Sequence, residues 1–268
     1  MKTRRALARP DAAPRAPWGW LALGLLLGGL PTLVLQAPAR WLGAVISQAS
    51  HAQVRLIDTQ GTVWRGSARL LLTGGSGSND ETALPGRVHW RLAPAGLGAQ
   101  VQLSADCCTS TPLNARATPG WGTLAVRLAD GLSHWPAPLL TGLGTPWNTV
   151  QLQGQVQLAT TGLAVSWVRG RADLQGQARL DLLGVSSRLS TLHPIGSYRV
   201  TIAGGDATTL TLATLDGALQ LTGSGRWVGQ RLRFTGEATA APGREAALAN
   251  LLNIIGRRSG ARSVITIG

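Results

Sequence analysis

The stretch "TVQLQGQVQLAT" (residues 149–160) constrains the fold more than any other. Val150, Leu152, Gly154, Val156 and Leu158 fall on one parity, and Gln151, Gln153, Gln155 and Gln157 on the other. A period of two sends successive side chains to opposite faces of a strand, so this segment reads as a strand with one apolar and one polar face. The pattern returns at 62–72, where Trp64, Gly66, Ala68, Leu70 and Leu72 oppose Val63, Arg65, Ser67, Arg69 and Leu71. "RVHWRLAP" sets Val88, Trp90 and Leu92 against Arg87, His89 and Arg91. Further strands read at 101–105, 124–128, 163–167, 172–182, 198–202, 210–212, 219–227 and 232–240. Gly-bearing turns such as "TTGL" (160–163) and "LDGA" (215–218) separate several of them.

Ten or more one-faced strands joined by short turns imply antiparallel hairpins. The only helical pattern after residue 53 is "PGREAALANLLNIIG", with Pro242 and Gly256 as start and stop signals and Leu248, Leu251, Leu252 and Ile255 on one face. One helix cannot cover ten strands. The expected fold is therefore mainly β: a curved antiparallel sheet with one apolar face, arranged as a groove, a sandwich or a partly closed barrel, with a short C-terminal helix. A final strand, "SVITI" (263–267), is expected after that helix. Ten Trp accompany a single Phe and a single Tyr. Those on apolar parities, Trp64, Trp90, Trp167 and Trp227, are candidate core residues together with Leu251 and Leu252, because an indole buries a large area. Mid-strand glycines such as Gly66, Gly223 and Gly236 fit curvature or room for a neighbouring ring.

Before the strands, "WGWLALGLLLGGLPTLVLQ" (18–36) carries no charge. As a helix its 19 residues would reach about 28 Å, close to the ~30 Å hydrocarbon core. The first fifteen residues hold Lys2, Arg4, Arg5, Arg9 and Arg15 against Asp11. Basic flanks stay in the cytoplasm, so the remainder is expected outside it. "APA" (37–39) resembles a signal-peptide cleavage site, but the apolar run exceeds the ~7–15 residues usual there, and an uncleaved anchor is the preferred reading. The chain thus divides into a basic tail (1–17), a transmembrane helix (18–36), a juxtamembrane linker (37–53) and a β-domain (54–268).

Signals for chemistry are few. His51, His89, His134 and His193 are scattered, with neither HxH nor HxxxH. No nucleophile elbow, phosphate loop or dinucleotide fingerprint occurs. "GGSGSND" (74–80) reads as a hairpin tip. No catalytic, cofactor or metal residue is assigned, and the expectation is a protein that is not an enzyme and needs no cofactor. The two cysteines, Cys107 and Cys108, are adjacent. A vicinal disulfide, a bridge between chains and free thiols are all open to them. The net charge of +13 comes from dispersed Arg without a dense basic, aromatic-interleaved patch, which argues against nucleic acid as a partner.

Several segments together resemble one family. "LIDTQGTVWRGSARL", "HWPAPLLTGLGTPWNTVQLQGQVQL", "PIGSYRVTI" and, most specifically, "APGREAALANLLNIIGRR" (241–258) are similar to type II secretion system protein N, also called general secretion pathway protein N. The resemblance implies an accessory inner-membrane component of the machinery that exports folded proteins from the periplasm. It implies a single-pass topology with a periplasmic β-domain, and partners among the other inner-membrane and periplasmic components. It supplies no catalytic or ligand residue, and the cysteine pair matches nothing in it. An anchor followed by a long one-faced sheet also resembles membrane-anchored proteins that bind or transfer lipid in an apolar β-groove. The two readings differ in whether the apolar face is closed by a core or open as a strip.

Overall fold

A computed structural model of the chain describes residues 18–268 apart from positions 76, 146, 169, 170 and 230. The chain divides into two compact units between Ala37 and Pro38. The first holds helix α1 (Trp18–Leu35), with Pro31 inside it. Among the described residues no helix is long and apolar enough to cross a membrane, so the span expected over 18–36 rests on its sequence.

The second unit is mainly β. It opens with α2 (Ala39–Ala49), followed by β1 (Val54–Gly61), β2 (Arg65–Thr73), β3 (Glu81–Ala83), β4 (Val88–Ala95), β5 (Gly98–Ala105), β6 (Leu113–Gly120), β7 (Thr123–Leu128) and β8 (Gly131–Pro136). A 3₁₀ segment (Ala137–Leu143) and the single turn α3 (Trp147–Val150) lead into β9 (Gln153–Val168), β10 (Arg171–Ser186), β11 (Gly196–Ala203), β12 (Thr209–Gly217), β13 (Leu219–Val228) and β14 (Arg231–Ala240). The chain finishes with α4 (Glu245–Ile255), β15 (Arg257–Ser259) and β16 (Arg262–Ile267). All sixteen strands join one sheet in the order β1-β2-β4-β5-β6-β7-β9-β10-β11-β12-β13-β14-β16-β15, with β3 on β2 and β8 on β9. It is neither a sandwich of two sheets nor a closed barrel: β1 and β15 remain as separate edges.

Two expectations are corrected here. "TTGL" is not a turn between strands, because β9 runs through it. Gly162 and Gly176 both take positive φ, and the β9–β10 register shifts between Gln175 and Gln177. A Cβ on Gly176 would run into the Gly162 carbonyl, so a glycine pair produces a bulge where a hairpin was expected. The second concerns residues 149–152, which do not begin the strand. Thr149 and Val150 close α3, Gln151 takes φ 46°, and β9 starts at Gln153.

The 16-residue β9 backs two shorter strands at once. Its C-terminal half pairs with β7 (Leu124 opposite Trp167) and its N-terminal half with β8 (Trp135 opposite Val156). Antiparallel alternation then divides the connections between two ends of the sheet. Tight turns at β1–β2, β4–β5, β6–β7, β9–β10, β11–β12 and β13–β14 lie at one end of the sheet, called here the turn end. The cysteine loop, the 3₁₀ segment, residues 187–195 and α4 lie at the other end, together with the short β12–β13 and β15–β16 connections.

That second end holds the largest core cluster. Leu248, Leu251 and Leu252 of α4 pack with Leu152, Val156, Val185, Ile195, Tyr198 and Leu219. The Tyr198 hydroxyl donates to the Leu219 carbonyl (3.1 Å), and burial pushes its pKa up. Ser263 donates to the Leu252 carbonyl (2.6 Å) and Ser190 to that of Ala247 (3.1 Å), tying α4 to β16 and to the 187–195 loop. A second cluster joins Leu84, Val88, Ala105 and Cys108. In a third, Ala39 of α2 packs with Ala68 and Trp90. Within the juxtamembrane segment 37–53, α2 thus folds onto the sheet.

Candidate interaction surface

The structure distributes the expected core residues unevenly. Leu251 and Leu252 are fully buried, and Trp90 is 5% exposed. Its ring occupies the space Gly66 leaves open: a Cβ there would lie 2.5 Å from Trp90 Cζ2. The indole N–H donates to the carbonyls of Thr62 (3.2 Å) and Val63 (3.1 Å). In "GTVWRG" the glycine therefore serves Trp90 from the next strand, whereas Trp64 itself precedes β2 in the turn and is half-buried. Trp227 is also half-buried. Trp167 departs from its expected core role with 41% exposure. It has the apolar parity but stands at the last rungs before the β9–β10 turn, outside the buried core clusters.

Polar side chains on the opposite face join strands to one another. Arg199 makes a double contact with Asp181 (2.7 and 2.8 Å) across β10–β11, and Arg179 approaches the same carboxylate at 3.8 Å. The hydrogen bonds from Arg199 hold the Asp181 pKa below its ordinary value, and the carboxylate raises that of Arg199. Arg87 ties three strands together, donating to Ser67 Oγ (3.1 Å) and to the Asp58 carbonyl (2.6 Å). Its backbone N–H donates to Asp106 (3.0 Å), which is also 3.1 Å from His89 Nε2, and Asp106 is likewise held low, chiefly by that backbone bond. His134 meets Gln157 at 2.8 Å. Among the described residues no three of His, Cys, Asp and Glu are grouped to hold a metal ion. A cleft of about 280 Å³ near the 3₁₀ segment is lined by Thr82, Pro138, Thr141, Gln151, Leu152, Gln153 and Arg188, with no carboxylate or histidine among them. The sulfurs of Cys107 and Cys108 are bonded, and Cys108 is buried in the second core cluster.

The turn end is where apolar surface stays open. Leu97, at the β4–β5 turn, is 91% exposed, and Trp121, at the β6–β7 turn, is fully exposed. Leu124, Trp167, Val168 and Val228 are more than a third exposed nearby. Behind them Val126, Val165, Leu174, Ile202 and Leu210 are only half-buried and belong to none of the three buried core clusters. Strand alternation did not single out Leu97 and Trp121. The signal for them is an apolar residue placed between glycines in a turn, "GLG" and "GWG", where polar residues are the rule.

Fold and surface together define a single-sheet β-protein whose polar face is occupied with strand-to-strand bonds and whose apolar face stays partly open along β7, β9, β10, β11 and β12 toward their turns. The chain belongs to the type II secretion system protein N family, whose sequence model matches residues 52–265. No curated protein and no solved structure matches it. Membership implies a role in type II secretion, in association with other parts of that apparatus at the cell envelope.

Proposed function

We propose that the protein is an accessory inner-membrane component of the type II secretion machinery, and that it acts through protein–protein contacts in the periplasm. A single span over 18–36 anchors it, with residues 1–17 in the cytoplasm and the β-unit outside. The observation that carries this reading is the family match over 52–265, which covers nearly all of the β-unit. The uncharged run at 18–36 and its basic leader support the topology. Its role is that of an interaction subunit, not an enzyme. In cells lacking the chromosomal copy, the full chain carrying a photo-crosslinker at Thr211, on the exposed polar face of β12, is expected to restore secretion and to capture other components of the apparatus. Unchanged secretion on deletion of the gene, with no protein adduct, would overturn the reading.

A second reading is favoured by one observation, the half-covered apolar strip through Val126, Val165, Leu174, Ile202 and Leu210. A strip open at the turn end suits an acyl chain, and the protein would then be a membrane-anchored lipid-binding or lipid-transfer protein. A crosslinker at Val165 that captures phospholipid, while one at Thr211 captures no protein, would favour this alternative.

A further inference from the structure

The β-unit enters its sheet at the turn end. Pro38 forms an isolated antiparallel bridge with Thr62, in the β1–β2 turn, and α2 leads from there to the start of β1 at the far end. Gln36, the last residue of the uncharged run, precedes Pro38 by two positions, at most about 7 Å of extended chain. The membrane-anchor reading therefore ties the turn end, and not the end capped by α4, to the bilayer surface.

The residues at that end have the chemistry such a surface requires. Four neighbouring hairpins, β1–β2, β4–β5, β6–β7 and β9–β10, stand side by side in the sheet order. With strands ~4.8 Å apart, they extend over about 34 Å. Their tips present Leu97, Trp121, Trp167 and Val168, and Trp41 in the first turn of α2 is 45% exposed beside the Pro38 bridge. Residues 61–66, 90–102, 115–127 and 163–175 contain Arg65, Arg91, Arg116, Arg127, Arg169 and Arg171 against a single carboxylate, Asp173. Arg65, Arg91, Arg116 and Arg127 are exposed, and none of these four has an ion-pair partner among the described residues. Tryptophan is favoured at headgroup depth, because its ring is apolar and its N–H polar. Arginine close to a surface of anionic lipid is attracted to it.

We infer that these four hairpin tips lie on the bilayer that holds the anchor, with Leu97 and Trp121 in the interface and the arginines against anionic headgroups. The tips thus form a second membrane contact beside the anchor. This rests on the anchor reading above.

The test uses the full chain in vesicles of phosphatidylethanolamine and phosphatidylglycerol, labelled without reductant with an environment-sensitive fluorophore at Leu97→Cys, Trp121→Cys or, at the far end, Thr191→Cys. Flotation after alkaline extraction checks the anchor separately, and far-UV circular dichroism checks folding. Labels at 97 and 121 are expected to emit to the blue of the label at 191 and to be quenched by lipids carrying a spin label near the headgroup. Both effects should weaken when phosphatidylcholine is the only lipid. They should also weaken when Arg65, Arg91, Arg116 and Arg127 are all changed to Gln, with flotation unchanged. A chain that does not float refutes the anchor. A chain that floats with labels at 97 and 121 as water-exposed as at 191 refutes the docking alone, as does shielding that appears only when other secretion components are added. Equal quenching in both lipids refutes the role of the arginines.

Discussion

Trp90 and Gly66 make a pair whose energetics follow from the geometry. Trp90→Ala removes an indole that is 5% exposed and wedged between β2 and the β1–β2 turn. Deleting a buried large aromatic costs about 3–5 kcal/mol. The carbonyls of Thr62 and Val63 also lose their shared donor, which adds roughly 0.5–1.5 kcal/mol. A total near 5 kcal/mol would lower the melting temperature by about 10–20 °C in a domain of this size. Gly66→Ala acts on the same space from the other side. Its Cβ would stand 2.5 Å from Trp90 Cζ2 and 2.6 Å from the Gln60 carbonyl, so one or both must yield. Overpacking of this kind costs about 1–3 kcal/mol. In the double variant the ring clash is gone and only the carbonyl contact remains, so the alanine at 66 should cost about 1 kcal/mol less than it does alone. Urea titrations of the four proteins followed by far-UV circular dichroism measure the coupling. If Gly66→Ala costs the same with and without the Trp90 ring, the ring does not use the space the glycine provides, and the account of "GTVWRG" as a receptor for Trp90 fails. Trp64→Ala, at a half-buried turn position, should cost clearly less than Trp90→Ala in the same titrations.

Other outcomes follow from the same structure. Leu251→Ala in α4 should destabilise by about 2–5 kcal/mol, and removing residues 242–268 should abolish the cooperative melt, since it uncovers Ile195, Tyr198 and Leu219; an unchanged melt of the truncated chain would count against α4 as a lid on the core. Asp181 and Asp106 both have pKa values held below the ordinary carboxyl value of 3.8. Their contribution is complete above that value and lost as pH falls through the lower folded-state one, so stability should drop below about pH 4 and Asp181→Asn should flatten part of that drop; a pH series of melts decides it. Gly176→Ala meets both a positive φ and the Gly162 carbonyl, and should cost more than about 1 kcal/mol by thermal melt, whereas Gly→Ala at an unstrained site is neutral or mildly stabilising.

The one-faced strands were legible because Gln alternates with Gly154, Val156 and Leu158 at 153–158, and Thr with Leu at 209–212, and a period of two reads as a strand. The C-terminal helix was legible from the spacing of Leu248, Leu251 and Leu252. Strand β6 was not: "LNARATPG" alternates small and polar residues and contains Pro119, and it earns its place only by pairing with β5 and β7. β8 was hidden in the same way, as its residues gain strand geometry from β9. The bulge at Gly162 and Gly176 reads locally as a turn, because positive φ is common to both. Parity marked Trp90 and Trp167 alike, but parity reports only which face a residue lies on. Whether that face is covered depends on where α2, the 3₁₀ segment and α4 come to rest, and those placements are set by contacts between residues far apart in the chain.

The open sheet also limits how this protein can assemble. An exposed strand edge is a template for strand addition by another chain. Here both edges are poor templates. β1 is interrupted between Ile57 and Gln60, where Asp58 takes a positive φ and its carboxylate meets Arg69. β15 is three residues long, and two of them are Arg257 and Arg258. Neither edge offers the long run of free N–H and C=O groups that would let the sheet continue into a neighbour. Strand-by-strand polymerisation is thereby discouraged, and a machine component with such edges is left to meet its neighbours through side chains, on the polar face or at the hairpin tips.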